Sequence, residues 1–183
     1  NVTLGSVGTK LTIDSLIDDE AGWKSISGLN EPKFIAGKMV LDGKTYTGYA
    51  GEKFTIRVLH FKYSVNFSEA AAAAGEWAGL YFNNSGADIY PWSGTGILAC
   101  VKSDRIELQV YENGSRTKFL TNTENLLENG RTYRMTFGMY DVTSTDVRIV
   151  MTADGVTLFD ETVTSEKLHG LSGYFGASAS DAG

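Results

Sequence analysis

The sequence has few cysteines and prolines and no long apolar run, and each of these shortages limits the structures that the chain can form. Cys100 is the only cysteine, so no disulfide can form within the chain. Its place in an apolar run predicts a small buried side chain. Only 2 of the 183 residues are proline, against 21 glycines, which favours a fold with many tight turns. No apolar run approaches the roughly 20 residues that a bilayer-spanning helix needs.

The chain also lacks an excess of basic residues. Its formal net charge of −6 argues against binding to nucleic acid and to anionic membrane surfaces, which both require a basic surface. Apolar residues make up 42% of the chain, enough for one sizeable core, and we treat 1–183 as a single domain. Residues 1–15 are interpreted as an edge strand or a linker. No signal peptide is visible, and a chain that starts at Asn1 is interpreted as a mature fragment or an excised module.

Strand-like runs separated by turns recur along nearly the whole sequence, and no segment has the pattern of an amphipathic helix. Phe34 to Leu41 is predicted as one strand before a DGK turn. Phe54 to Phe67 is predicted as one long strand with a bulge or bend at His60, where the apolar phase shifts by one residue. The alanine-rich 68–76 segment is predicted as a surface connection that starts with one helical turn capped by Ser68. The pattern predicts an all-β sandwich or barrel.

The segment from Glu76 to Glu112 contains three short apolar runs whose alternation predicts two faces for each strand. If the small apolar residues face the core, flat rings and planar polar groups share the opposite face, an arrangement that suits a sugar. The candidate carbohydrate-binding residues are Trp92, Tyr90, Asp88, Trp77, Tyr81, Asn83, Arg105 and Glu107. Tyr46 and Tyr49 form a reserve site.

Each of these candidates has a structural alternative. Trp77 and Tyr81 become core residues if the phase of their strand is inverted. Arg105 and Glu107 can pair with each other instead of with a ligand. For Trp92 a ligand role is favoured, because it lies in a loop and loops carry binding residues more often than cores do.

A candidate metal site rests on the acidic residues Asp18 to Glu20 and on the C-terminal Asp181. Calcium binds several carboxylate and carbonyl oxygens in flexible loops, so Asp19 and Asp181 are the proposed ligands. The spacing does not match an EF-hand, and a solvated loop is the alternative. Trp23 is predicted as a core anchor.

The order of segments resembles the concanavalin A-like (laminin G-like) jelly-roll superfamily. It runs GWKSISG, KMVLDG, FKYSVNF, WAGLYFN, ILACVKSDRIELQVY, ENGRTYRMTFGMY, VRIVMTADGVTLFDE and LSGYFGAS. The resemblance covers about residues 20 to 180. It implies a two-sheet antiparallel β-sandwich. Within the superfamily the chain looks like a carbohydrate-binding module of a bacterial polysaccharide-degrading enzyme. That likeness implies a secreted or cell-surface protein, a linked catalytic domain, a polysaccharide or oligosaccharide ligand and, in many members, a structural calcium ion.

The same superfamily includes glycoside hydrolases and polysaccharide lyases, so the fold alone does not decide the activity. The hydrolases carry paired carboxylates in an E-x-D-x-x-E strand, and no such run occurs here. Neither His60 nor His169 lies in a recognisable lyase motif. We therefore expect a non-catalytic module. A protein-interaction or structural domain, such as an adhesin-like module, is the alternative, and an enzyme is the less favoured one.

Overall fold

A computed structural model describes residues 3–4, 13–54, 56–85, 92–170 and 173–180. In chain order the elements are β1 (Thr3–Leu4), α1 (Ile13–Asp18), a 3-10 turn (Glu20–Gly22), β2 (Trp23–Ser25), β3 (Lys33–Ile35), β4 (Lys38–Val40), β5 (Thr45–Phe54), β6 (Ile56–Tyr63), α2 (Glu69–Ala74), β7 (Ala78–Asn84), β8 (Gly96–Val101), β9 (Ile106–Glu112), β10 (Ser115–Asn122), β11 (Tyr133–Asp141), β12 (Asp146–Ala153), β13 (Val156–Thr164) and β14 (Gly173–Ala179).

Two antiparallel sheets dominate the architecture. One has the strand order β1-β6-β11-β12-β13, and the other has the order β10-β9-β8-β7-β14-β5-β2. The short strands β3 and β4 form a separate hairpin. The prediction of an all-β, two-sheet antiparallel sandwich is confirmed.

The core lies between the two large sheets. Phe82 of β7 and Phe137 of β11 stack face to face, with ring centroids 3.9 Å apart, and both are fully buried. Trp23 packs edge-on against Phe175 and donates its indole N–H to the Leu16 carbonyl at 2.8 Å. The prediction that Trp23 is a core anchor is therefore confirmed.

The predicted phase of the central strands is also confirmed. Leu80 and Phe82 of β7 lie in the core, as do Ile106, Leu108 and Val110 of β9. Their neighbours in the alternation consequently face away from the five-stranded sheet. We call that side of the seven-stranded sheet the outer face.

The interpretation of Phe34 to Leu41 as one strand is wrong. The segment is a tight hairpin of β3 and β4, with Ala36 at φ 49° and Gly37 at φ 72° in the turn between them. Both turn residues have positive φ, as a two-residue turn that matches the twist of its strands requires. Alternation alone missed the turn because alanine does not signal positive φ.

The long strand predicted over Phe54 to Phe67 is also wrong in its bounds. Phe54 ends β5, and β6 starts at Ile56 and ends at Tyr63. The pairing of β6 with β11 runs from Tyr63 to Val58 without a register shift, so the bulge predicted at His60 is absent from that ladder. The apparent phase change arose because Val58 is apolar but lies on the opposite face of β6 from Leu59, Phe61 and Tyr63, which are in one phase on the core side.

The connection after β6 behaves as predicted. The Ser68 side chain accepts a hydrogen bond from the Ala71 N–H and caps the short helix α2, which ends at Gly75 with φ 70°. A second short helix, α1, occupies 13–18, where the sequence had indicated an edge strand, a linker or a loop. Both have 6 residues, and no helix in the described ranges is long and apolar enough to cross a membrane.

Candidate functional site

The outer face of the seven-stranded sheet carries a second buried cluster, separate from the core. Tyr81, Leu98 and Cys100 form its centre. Trp77, Trp92 and Tyr111 are partly buried and pack against it. Strand alternation explains the centre, because Tyr81 faces Leu98 across the β7–β8 ladder and Cys100 follows two residues after Leu98.

Tyr81 forms the floor of this cluster. Its ring is fully buried, and its hydroxyl donates to the Thr47 carbonyl on β5 at 3.0 Å. The ring reaches β5 by lying across Gly176 of β14, which has no side chain to block it. The expectation that Tyr81 stands open to a ligand is therefore wrong: it faces outward as predicted, but other outer-face groups cover it.

Three rings lie above this floor, and we call them the aromatic cluster: Tyr46, Trp77 and Trp92. The ring centroid of Tyr46 lies 6.1 Å from that of Trp77 and 5.5 Å from that of Trp92. The centroids of the two indoles are 6.5 Å apart. All three contacts are tilted or edge-on, the geometry that ring quadrupoles favour. Tyr46 is buried, whereas both indoles keep part of their surface exposed.

The backbone around each indole is well anchored. Trp77 N–H donates to the Ser180 hydroxyl at 2.8 Å, and Ser180 N–H donates back to the Trp77 carbonyl at 2.9 Å. The loop after Trp92 is bonded to the turn between β9 and β10, through Gly114 N–H to the Gly94 carbonyl at 2.9 Å. Main-chain bonds to neighbouring elements therefore position both rings.

A row of polar side chains runs along the outer face of β9 and forms the polar ladder: Arg105, Glu107, Gln109 and Tyr111. Tyr111 Oη donates to Gln109 Oε1 at 2.8 Å, and Gln109 Nε2 donates to Glu107 Oε2 at 2.9 Å. From the other side, Arg105 Nε donates to Glu107 Oε1 at 2.7 Å. The result is a chain of hydrogen bonds that converges on one carboxylate, and the bonds to that carboxylate are charge-assisted.

Glu107 is only 5% exposed, and two cations compensate its burial. Lys102 Nζ lies 3.6 Å from the oxygen that Arg105 also contacts. The hydrogen bond to Glu107 is the main reason that the pKa of Arg105 is raised above its usual value. Burial raises the pKa of Cys100 strongly, and the same thiol accepts a long contact of 3.9 Å from Gln109 Nε2. Cys100 is thus buried, as predicted, and the raised pKa keeps its thiol protonated.

The ladder and the aromatic cluster meet at Tyr111. Its ring packs on the same buried centre as Trp77 and Trp92, while its hydroxyl starts the hydrogen-bond chain. Burial also raises the pKa of Tyr111, so the hydroxyl remains a donor at neutral pH. The outer face therefore places aromatic surface beside carboxylate, amide, guanidinium and hydroxyl groups.

Comparison of the sequence with protein families finds no match, and none of the curated proteins matches it. Solved structures do match the fold. The carbohydrate recognition domain of Emp46p, in a mutant form, superposes with a TM-score of 0.67 at 9% identity, covering 90% of this chain and 83% of that one. The glycoside hydrolase family 16 endo-glucanase from Bacteroides ovatus gives a TM-score of 0.60 at 12% identity, over 90% and 83%. A native glycosidic hydrolase gives 0.60 at 10% identity, over 90% and 79%.

The fold is a concanavalin A-like jelly roll. At these identities the likeness extends to the fold alone. The similar structures include both a carbohydrate recognition domain and hydrolases, so the fold does not decide between binding and catalysis.

Five of the predicted sugar-binding residues lie together on the outer face of this jelly roll: Trp77, Tyr81, Trp92, Arg105 and Glu107. Asp88 and Tyr90 lie outside the described residues. Asn83 belongs to β7, but its side chain is also outside the described part. No comparison tests the ligand role of any of these residues, which stays a prediction.

The reserve pair of tyrosines separates in the structure. Tyr46 joins the aromatic cluster, whereas Tyr49 lies on the core side of β5, where its ring packs against Trp23. Sequence reasoning undervalued Tyr46 because β5 is distant in sequence from β7. The position of Tyr46 opposite Ser178, in a ladder through β14, brings it to the site.

The two predicted calcium ligands receive no support as a site. Asp19 accepts a hydrogen bond of 2.6 Å from the Tyr49 hydroxyl, and Asp181 lies outside the described residues. Within the described ranges no three His, Cys, Asp or Glu side chains are grouped so that they could hold a metal ion. Calcium also binds backbone and amide carbonyl oxygens, and calcium binding stays a prediction.

Proposed function

We propose that this chain is a non-catalytic carbohydrate-binding module that binds polysaccharide on the outer face of its seven-stranded sheet. The observation that carries the proposal is that Trp77, Trp92 and Tyr111, the residue that begins the polar ladder, pack on one buried centre. A pyranose has an apolar C–H face and a rim of hydroxyls. Rings cover such a face, and carboxylate, amide and guanidinium groups pair with such a rim.

The partly exposed indoles of Trp77 and Trp92 supply the binding energy in this proposal. An aromatic side chain presents roughly 150–250 Å². Covering half of one indole gains on the order of 2–3 kcal/mol at about 25 cal/mol per Å². Trp77 and Trp92 together offset the several kcal/mol that association costs, and the expected affinity is roughly micromolar to millimolar.

The state of Glu107 supports the non-catalytic part of the proposal. Both of its carboxylate oxygens are engaged, by Arg105 and Lys102 on one and by Gln109 on the other. On the described parts of β8 and β9, alternation places no second carboxylate on the outer face beside it. A glycosidase requires two carboxyl groups about 5–9.5 Å apart. We therefore expect no release of reducing sugar from any polysaccharide that the protein binds.

Weak binding of this kind is useful when the module is tethered. In the proposed context the chain belongs to a secreted or cell-surface bacterial protein and holds a linked catalytic domain near its polysaccharide. Tethering raises the effective concentration of the second binding event without new contacts. The likeness of the fold to a carbohydrate recognition domain supports this role by analogy.

Affinity gel electrophoresis against neutral and acidic soluble polysaccharides, with and without a chelator, tests the proposal. Trp92→Ala and Trp77→Ala are each expected to weaken binding about tenfold or more, since each loses the 2–3 kcal/mol of ring contact. Tyr140→Ala is the matched control, because this exposed ring lies on β11 in the other sheet. A protein that binds none of the polysaccharides would contradict the proposal and favour a protein-interaction module. Loss of binding with the chelator would support calcium.

A further inference from the structure

A further aromatic residue and a further cation lie at the edge of the outer face, beyond the polar ladder. Phe119 of the edge strand β10 is 45% exposed. The Arg116 guanidinium lies over its ring, with Cζ 4.6 Å from the centroid. Neither residue was among the candidates that the sequence indicated.

A register shift in β10 brings these two side chains to the same face. Arg116 pairs with Tyr111, the ladder then slips by one residue, and Phe119 pairs with Gln109. Without the slip, two residues that are three apart would point to opposite faces. Because both partners belong to the polar ladder, Arg116 and Phe119 extend the proposed binding face by one strand.

Several cations lie near this edge, and Asp104 and Glu107 pair with two of them. Lys102, Arg105 and Arg116 are cations on the outer face of β8–β10, whereas the chain carries a formal net charge of −6. Glu107 occupies Lys102 and Arg105. Arg116 forms no salt bridge with any described residue, and its contact is with the Phe119 ring.

We propose that Arg116 and Phe119 form a subsite for an acidic sugar, in which the guanidinium held over the Phe119 ring pairs with the carboxylate and the uncovered part of the ring contacts the pyranose. The inference rests on the proposed function and adds a uronic acid to its ligand. A guanidinium matches a carboxylate with two parallel hydrogen bonds, and stacking on a ring leaves those donors free. The part of the ring that Arg116 leaves uncovered supplies apolar surface for the C–H groups of a pyranose.

Matched polymers test whether the ligand is acidic. The intact protein is titrated with polygalacturonate, alginate and xanthan, each beside its carboxyl-reduced form, which keeps the backbone and removes the charge. The proposal expects at least one acidic polymer to bind about tenfold or more tightly than its reduced form, with an affinity that falls as salt is raised. A sulfated galactan is included, because sulfate offers similar oxygens.

Variants of one strand test whether Arg116 is the recognising group. Arg116→Gln is expected to remove most of the preference for the acidic polymer, and Arg116→Lys to remove part of it, because lysine keeps the charge but loses the planar fork. Phe119→Ala is expected to weaken binding to the acidic polymer. Lys118→Gln is the matched control: it removes the same charge from β10, but Lys118 pairs with Val110 and points to the other face.

The outcomes separate this inference from the proposed function. If polymers bind through Trp77 and Trp92 but acidic and reduced forms bind equally, the subsite is refuted and the carbohydrate-binding role stands. The subsite is also refuted if Arg116→Gln and Lys118→Gln have equal effects, or if only the sulfated galactan requires Arg116. If no polymer binds at all, both proposals fail. Circular dichroism and thermal unfolding confirm that each variant is folded.

Discussion

The Tyr81 ring lies directly on the backbone of Gly176, and a Cβ added to that glycine would be 1.8 Å from Cζ of the ring. No real side chain tolerates such a distance, so the glycine and the phenol require each other. The contact joins β7 to β14 on the outer face, and the Tyr81 hydroxyl continues it to the Thr47 carbonyl of β5. The floor beneath the aromatic cluster therefore depends on one missing side chain.

Gly176→Ala is expected to displace the Tyr81 ring, break its hydrogen bond to Thr47 and lower the free energy of unfolding. Overpacking of this kind costs about 1–3 kcal/mol, which for a domain of this size lowers the Tm by about 2–10 °C. Urea denaturation and thermal scans measure the change. In a Tyr81→Leu background the same substitution should cost clearly less, because the shorter side chain leaves room for the new methyl group. Equal costs in both backgrounds would show that Tyr81 is not the group displaced.

Glu107→Gln is expected to destabilise the fold by about 1–3 kcal/mol, because it weakens charge-assisted bonds to a buried acceptor. The partners Arg105 and Lys102 then lose the carboxylate that compensates them. The free energy of unfolding in urea measures the effect. Glu166→Gln is the control, since Glu166 is exposed and forms no salt bridge with a described residue. A change no larger than that of the control would argue against a structural role for the ladder.

The stability of the fold is expected to fall as the pH rises above the ordinary pKa of a thiol, 9.0. Burial raises the pKa of Cys100, and also that of Tyr81, so the native state keeps protons that the unfolded state releases. The native state then binds more protons than the unfolded state, and the free energy of unfolding decreases with pH. The stability that these groups contribute is complete below the unfolded pKa and is lost above it.

Urea midpoints measured between about pH 7 and about pH 10.5 check this expectation. At pH values between the ordinary pKa of a thiol and that of a phenol, Cys100 accounts for the decline. The free energy of unfolding then falls by up to about 1.4 kcal/mol per pH unit. Cys100→Ala is the comparison, because it removes this titration and should flatten the decline. A variant with the same slope as the wild-type protein would show that the thiol ionises equally in both states.

The sequence predicted the residues of the outer face better than it predicted the local turns. Alternation in β7 and β9 correctly assigned Leu80 to the core and Arg105 and Glu107 to the outer face. The hairpin at Ala36 was missed because only one of its two turn residues, Gly37, is of a type that commonly adopts positive φ. Arg116 and Phe119 were missed because the shift in β10 depends on its pairing with β9, which alternation within one strand does not reveal.

The sequence by itself determined which side chains of each strand share a face, since successive residues of a pleated strand must point in opposite directions. It could not determine which outer-face groups are covered. Tyr81 is buried because Gly176 and Thr47, about a hundred and about thirty residues away along the chain, come to lie beside it. Tyr46 and Trp92 likewise meet only when β5 and the loop before β8 are brought together. Only the tertiary structure decided these contacts, because burial depends on strand neighbours that are far apart in sequence.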